Sequence, residues 1–146
     1  MPLNTAYLGR AFPPGETYQV GREAIRRFAD AIGDPHPLFR DPHAAREAGH
    51  ADVVAPPTFA IAVLARAQDA VLSDPELGLD FSRVVHRDQR FVHHRPIVAG
   101  DELSCTVHVE AMAVLAGNDV LTLRVEISDP QGGVCTATTT LVARGA

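Results

Sequence analysis

The chain has 146 residues, of which 46% are hydrophobic and 21% charged, and its formal net charge is −5. That is enough apolar material for a packed core, and it predicts one domain spanning residues 1–146. The acidic balance argues against nucleic acid as the main partner, because binding a polyanion wants a basic face. All thirteen positive charges are arginine. No apolar run reaches the roughly 18 residues that a membrane-spanning helix needs. Met1 to Gly21 lacks the charged start and apolar stretch of a secretory leader. Cys105 and Cys135 lack C-x-x-C spacing, so the expectation is a cytoplasmic, reduced protein without structural zinc.

The first half of the chain reads as helical and the second half as strand-rich, an α+β order. After a loose N-terminal arm, Tyr18 to Val20 reads as a short strand. Gly21 opens a helix in which Ile25, Phe28, Ala29 and Ile32 form one apolar stripe, and Gly33 stops it. The prolines of Asp34-Pro35-His36-Pro37-Leu38-Phe39 exclude a helix there. Asp41-Pro42 is an N-cap followed by a first-turn proline, and Gly49 ends that short helix. Pro56-Pro57 breaks the chain again, and a helix from about Thr58 to Leu72 is apolar nearly all round, as expected of a helix wrapped by the rest of the protein.

From Val84 the period becomes two. Leu103, Cys105, Val107, Val109 and Ala111 alternate with polar neighbours, as do Leu121, Leu123, Val125 and Ile127. Turn signals stand at Ala116-Gly117-Asn118-Asp119 and at Asp129-Pro130-Gln131-Gly132-Gly133. Val134 to Arg144 and Arg83 to His94 supply two more strands. A long antiparallel sheet with one uniformly apolar helix to cover it predicts the hot-dog arrangement, the sheet wrapped around a central helix. The competing architecture is an α+β sandwich with its helices side by side.

Seven histidines, at 36, 43, 50, 86, 93, 94 and 108, form no metal-ligand spacing, and no metal or cofactor is expected. Asp34 and His36, two apart on a loop between two helices, are a candidate acid–base pair. Equally, Asp34 can cap the following turn and leave His36 in solvent. The start of the apolar helix, Ala55-Pro56-Pro57-Thr58-Phe59, offers N–H groups to an oxyanion, although Pro57 has none to give.

These residues resemble the signature of the MaoC-like (R)-specific enoyl hydratases and dehydratases. Gly33-Asp34-Pro35-His36-Pro37-Leu38-Phe39-Arg40-Asp41 stands against the pattern G-D-x-N-P-x-H-x-D. Ala55-Pro56-Pro57-Thr58-Phe59 resembles the start of the family's hot-dog helix. His86-Arg87-Asp88-Gln89-Arg90-Phe91 and Arg95-Pro96-Ile97-Val98-Ala99-Gly100-Asp101 are similar to its strand and R-P-x-x-A-G-D turn. The resemblance runs from Gly9 to Arg144. It is nearest to the N-terminal MaoC-like dehydratase domain, which includes the non-catalytic A-type subunit of heterodimeric (3R)-hydroxyacyl-ACP dehydratases in fatty acid synthesis. Asp34 matches the family's catalytic aspartate. His36 stands where Asn is usual, Phe39 where the catalytic histidine belongs, and Pro57 where a glycine N–H would help bind the thioester oxygen.

The resemblance implies a lyase subunit acting on acyl-ACP or acyl-CoA thioesters, with Phe39, Val54, Pro57, Thr58, Phe59, His86 and Gln89 in substrate contact and only Asp34 and His36 left for catalysis. It implies a dimer, either with a catalytic hot-dog partner or with a second copy. The arginines at 87, 90 and 95 can face an acidic carrier or simply solvent. Two other readings stand beside this one: a self-sufficient homodimeric (R)-hydratase using Asp34 and His36, and an acyl-CoA or acyl-ACP binding protein without catalysis.

Overall fold

The computed structural model describes residues 2–145, so the two terminal residues of the expected 1–146 span lie outside it. The described residues hold three α-helices and six β-strands, with short 3₁₀ turns between them. Strands β1 (Ala11–Phe12), β2 (Tyr18–Gln19), β3 (Val84–His93), β4 (Glu102–Leu115), β5 (Asn118–Asp129) and β6 (Gly132–Ala143) form one antiparallel sheet. Its order is β1-β4-β5-β6-β3, with β2 also pairing to β4. The long strands run from Glu102 through tight hairpins. At the first hairpin both loop residues, Ala116 and Gly117, have positive φ (50° and 77°), as a two-residue turn matched to the sheet's twist requires.

Helix α3 (Ala60–Leu72) packs against β4 and β5, which confirms the hot-dog architecture over the side-by-side sandwich. Ala60, Val63, Leu64, Gln68, Val71 and Leu72 face the sheet and are buried, while Ala62, Ala65, Arg66, Asp69 and Ala70 are exposed. The sheet therefore covers one face of an almost wholly apolar helix. Phe59, in the 3₁₀ turn Pro57–Phe59 that leads into it, is 1% exposed and packs between Tyr18 and Phe28. Burying such a side chain contributes about 1.5–3 kcal/mol.

Several sequence expectations shift by a residue or a face. Helix α1 (Arg22–Ala31) buries Ile25 and Ala29, but Ile32 lies beyond its end and is about half exposed, because Gly33 (φ 72°) turns the chain away. The Pro37–Phe39 stretch is a single 3₁₀ turn, which tolerates proline at its start where a longer helix does not. Ala111 does not continue the inner face of β4. A bulge at Glu110 shifts the register, so Met112 takes the inward position opposite Leu121 and Ala111 turns out. The N-terminal arm, expected to be loose, is pinned to β4 by β1 as well as β2.

Helix α2 (Pro42–Glu47) begins as its sequence requires, with Asp41 accepting a hydrogen bond from the His43 backbone. Both cysteines are free and buried, and burial pushes each thiol up to about 11. No helix among the described residues is long and apolar enough to cross a membrane.

Asp52 ties the helical layer together. Arg22 at the start of α1 grips both carboxylate oxygens, at 2.9 and 2.8 Å, and the Val53 backbone donates at 2.8 Å. The Arg22 hydrogen bonds hold the Asp52 carboxyl down at about 2. A depressed carboxylate stabilises the fold above its unfolded value of 3.8, and that contribution disappears as pH falls through about 2. Asp52→Asn is therefore expected to melt below the wild type at pH 7, with the gap closing between pH 4 and pH 2; thermal melts followed by circular dichroism across that range check it.

Candidate functional site

The signature loop hangs from the end of α1 by backbone bonds. Gly33 takes the left-handed conformation, and the Asp34 N–H donates to the Ala29 carbonyl at 2.9 Å. From there each polar side chain serves the next turn. Asp34 Oδ1 accepts from the His36 N–H at 3.1 Å, and His36 Nδ1 accepts from the Leu38 N–H at 3.1 Å. Arg40 spans back to Asp30 and to the Asp34 carbonyl, both at 2.5 Å, while Arg26 donates twice to the Arg40 carbonyl. The loop is thus stapled to α1 on both sides.

This geometry fixes what His36 can do. With Nδ1 accepting from Leu38, the neutral ring carries its proton on Nε2. The free nitrogen of this exposed imidazole is a donor, and its lone pair is already occupied. Phe39 lies half-buried against the core with its ring 5.6 Å from that of His36. An apolar ring therefore fills the inward position of the loop.

Residues 53–55 connect this loop to the rest of the site. Val54 donates to the Leu38 carbonyl at 2.8 Å and bridges to Val98, and Ala55 donates to Ile97 at 2.8 Å. Pro57 and Thr58 then stand exposed at the head of α3, with Phe59 buried behind them. The Pro57 carbonyl lies 2.8 Å from Nε2 of His93. Sequence reasoning missed His93. The signal was the two-residue period of β3: Gln89, Phe91 and His93 pair with the buried Thr139, Ala137 and Cys135, so all three side chains share the helix-facing side of the sheet.

His86 and Gln89 form the third group. A bulge at Arg87 puts both on that same inner face, with His86 Nε2 and Gln89 Oε1 3.1 Å apart. Behind them Thr139 Oγ1 lies 2.8 Å from Gln89 Oε1 and 3.1 Å from Gln68 Oε1, which joins β3, β6 and α3. Gln89 Nε2 is buried with no hydrogen-bond partner among the described residues. The structure brings Pro57, Thr58 and Phe59 to the head of α3, ties Val54 to the signature loop beside Phe39 through the Leu38 carbonyl, and sets His86 and Gln89 farther along β3. The His36 carbonyl accepts from the Phe39 N–H at 3.1 Å within the loop, but among the described residues no hydrogen bond links Asp34 or His36 to Pro57, Thr58, His86 or Gln89.

Arg95 is committed elsewhere. It binds Asp101 at 2.8 Å and Asp129 at 2.7 Å, which locks the turn before β4 to the β5–β6 hairpin. Arg87 pairs with its neighbour Asp88 at 2.8 Å. No group of three His, Cys, Asp or Glu side chains among the described residues is placed to hold a metal ion.

Known proteins match this chain along nearly its whole length. Residues 6–134 fit the family described as FAS1-like, dehydratase domain region. The UPF0336 protein of Saccharopolyspora erythraea is 58% identical over 146 residues, covering 99% of this chain and 94% of that protein. The UPF0336 protein of Streptomyces avermitilis is 52% identical over 147 residues, covering 100% and 98%. Among solved structures, a MaoC-like dehydratase superposes with a TM-score of 0.90 at 34% identity, over 97% of this chain and 43% of that one, so this chain spans less than half of its length. A truncated HadBC (3R-hydroxyacyl-ACP dehydratase) complex from Mycobacterium tuberculosis gives a TM-score of 0.81 at 33% identity, covering 93% and 96%.

Thr139 has one hydroxyl proton to share between two glutamine oxygens in a buried place. Thr139→Val is expected to cost about 1–3 kcal/mol, because it leaves buried polar atoms without a partner. Adding Gln68→Leu to it should cost less than Gln68→Leu costs alone. Urea unfolding of the three variants checks both.

Proposed function

The chain belongs to the FAS1-like dehydratase-region family of MaoC-like hot-dog proteins, and from that premise we propose that it is the non-catalytic, acyl-thioester-binding subunit of a (3R)-hydroxyacyl-ACP or -CoA dehydratase. It acts as one hot-dog domain and needs a hot-dog partner that carries the proton-transferring pair.

The observation that carries this reading is the content of the signature loop. Dehydration of a 3-hydroxyacyl thioester removes the proton from Cα while the hydroxyl on Cβ leaves as water. A base must take the first proton, an acid must supply one to the hydroxyl, and N–H donors must hold the enolate-like oxygen in between. Phe39 cannot accept a proton. His36 Nδ1 is spent on the Leu38 N–H. Pro57 has no N–H to point at the oxygen, and its carbonyl faces His93 instead. Losing a positioned base costs about 10²–10⁴-fold, and losing an oxyanion donor about 10²–10³-fold.

What remains fits binding. Pro57 and Thr58 offer an exposed surface at the head of α3, with Val54 and Phe59 packed behind them and Phe39 half-buried on the signature loop, and there an acyl thioester can lie without reacting. His86 and Gln89 add polar contacts along β3. Among the described residues the outer edge of β3 carries no strand, and Val85 and Val92 on it are exposed, so this edge suits pairing with a second hot-dog sheet. The HadBC structure, at 33% identity, is itself a complex, which supports a two-chain assembly.

The purified chain alone is expected to hydrate crotonyl thioesters at no more than about 10⁻² of the rate of the reconstituted pair. His36→Asn keeps a side-chain acceptor for the turn and should leave the pair's rate within about threefold, since half a kcal/mol or so is all that changes. Replacing the histidine in the partner's own G-D-x-N-P-x-H run should abolish it. Turnover by the repurified chain alone that disappears in His36→Asn would establish the self-sufficient hydratase instead. Binding without any partner-dependent rate would leave a carrier protein.

A further inference from the structure

His93 is the last inward-facing residue of β3, opposite Cys135. At that end the strand meets the turn Pro57–Phe59, and His93 Nε2 lies 2.8 Å from the Pro57 carbonyl. A carbonyl oxygen only accepts, so Nε2 carries the hydrogen, and the neutral ring keeps its lone pair on Nδ1. Among the described residues nothing donates to that nitrogen, and the side chain is exposed. The ring is nonetheless held in place. Pro57 fixes one end of it, and Phe91, half-buried against the core, stands beside it with 6.1 Å between ring centroids. His36 is the opposite case, with its Nδ1 filled and its Nε2–H free. His93 therefore presents a fixed acceptor at the head of α3.

Thr58 adds the complementary group. It is exposed next to Pro57, and among the described residues its hydroxyl makes no hydrogen bond and caps no helix. We propose that His93, with Thr58, reads the 3-hydroxyl group of the bound acyl thioester, so that the subunit prefers the hydroxylated substrate to the dehydrated product; this rests on the acyl-thioester reading above. A 3-hydroxyl donates and accepts at once. It meets an acceptor in His93 Nδ1 and a donor in the Thr58 hydroxyl. After water is lost, that carbon is part of a double bond and makes neither contact. The amide N–H of a pantetheine arm can also meet Nδ1, but it only donates and leaves Thr58 without a match. The proton chemistry stays with the partner subunit, and His93 determines specificity.

The size of the preference follows from exposure. A buried site built for a hydroxyl rejects the analogue lacking it by about 10⁴–10⁵. His93 and Thr58 are both exposed, so unpaired groups return to water, and one net hydrogen bond gives about threefold to tenfold. The adjacent His94 is a built-in control. It points to the other face of the sheet, with Nε2 3.1 Å from Thr136 Oγ1.

The test uses the full chain and two ketone analogues, of (3R)-3-hydroxyoctanoyl and of octanoyl pantetheine, in which a methylene replaces the thioester sulfur. Calorimetry should show the hydroxylated compound binding about threefold to tenfold tighter. His93→Phe should erase that preference and leave the octanoyl compound within about twofold of wild type. His93→Asn, which returns a side-chain acceptor near the place of Nδ1, should restore part of it, and His94→Phe should keep all of it. In nitrogen-15 spectra the His93 Nδ1 resonance should move with the hydroxylated compound and stay in place with the other. Equal affinity for the two compounds in the wild type, or a preference that survives His93→Phe, would overturn the role of His93 and leave the thioester reading intact. An equal loss for both compounds in His93→Phe would assign the contact to the pantetheine amide that they share, and would likewise overturn it. Failure of both compounds to bind would overturn both readings.

Discussion

A helix that is apolar nearly all round cannot be satisfied by one sheet. Helix α3 puts Val63, Leu64, Val71 and Leu72 against β4 and β5, and those contacts organise the core. Its remaining surface, carrying Ala62, Ala65 and Ala70, still has to be met by something else. On one side the N-terminal arm approaches but is held off by Pro13 and Pro14. On the other, β3 presents an inner row of His86, Gln89, Phe91 and His93 and an edge with no neighbouring strand among the described residues. The surfaces left open beside the helix follow from this incomplete covering.

The signature loop commits its polar side chains to its own backbone. Asp34, His36 and Asp41 each accept a backbone N–H two residues on, so every polar side chain in the run is occupied by local structure. The loop keeps its shape through these caps and through Arg26 and Arg40. Phe39 adds packing against the core at the position where the resembling pattern has a histidine.

Hydrophobic period and turn chemistry made most of the fold legible. Alternation in β4 to β6, the stop at Gly33, the Asp41 cap and the Pro56-Pro57 break each act within a few residues and stand where they were expected. The errors were also local in kind. Ile32 was assigned to a helix that ends one residue earlier. Ala111 was assigned to an inner face that the bulge at Glu110 hands to Met112, and a bulge depends on the partner strand, which a single strand's pattern does not contain.

The residues by themselves determined the α+β order, the single long helix, the aromatic ring at Phe39 and the missing N–H at Pro57, because those are properties of side-chain type and near neighbours. Only the tertiary structure decided that His36 Nδ1 is taken, that His93 meets the Pro57 carbonyl from thirty-six residues away, that Arg95 is spent on Asp101 and Asp129, and that the arm leaves a cleft above Cys105. Each of these depends on where distant backbone segments come to rest against one another, and that is fixed by packing of the whole sheet on the helix rather than by any spacing along the chain.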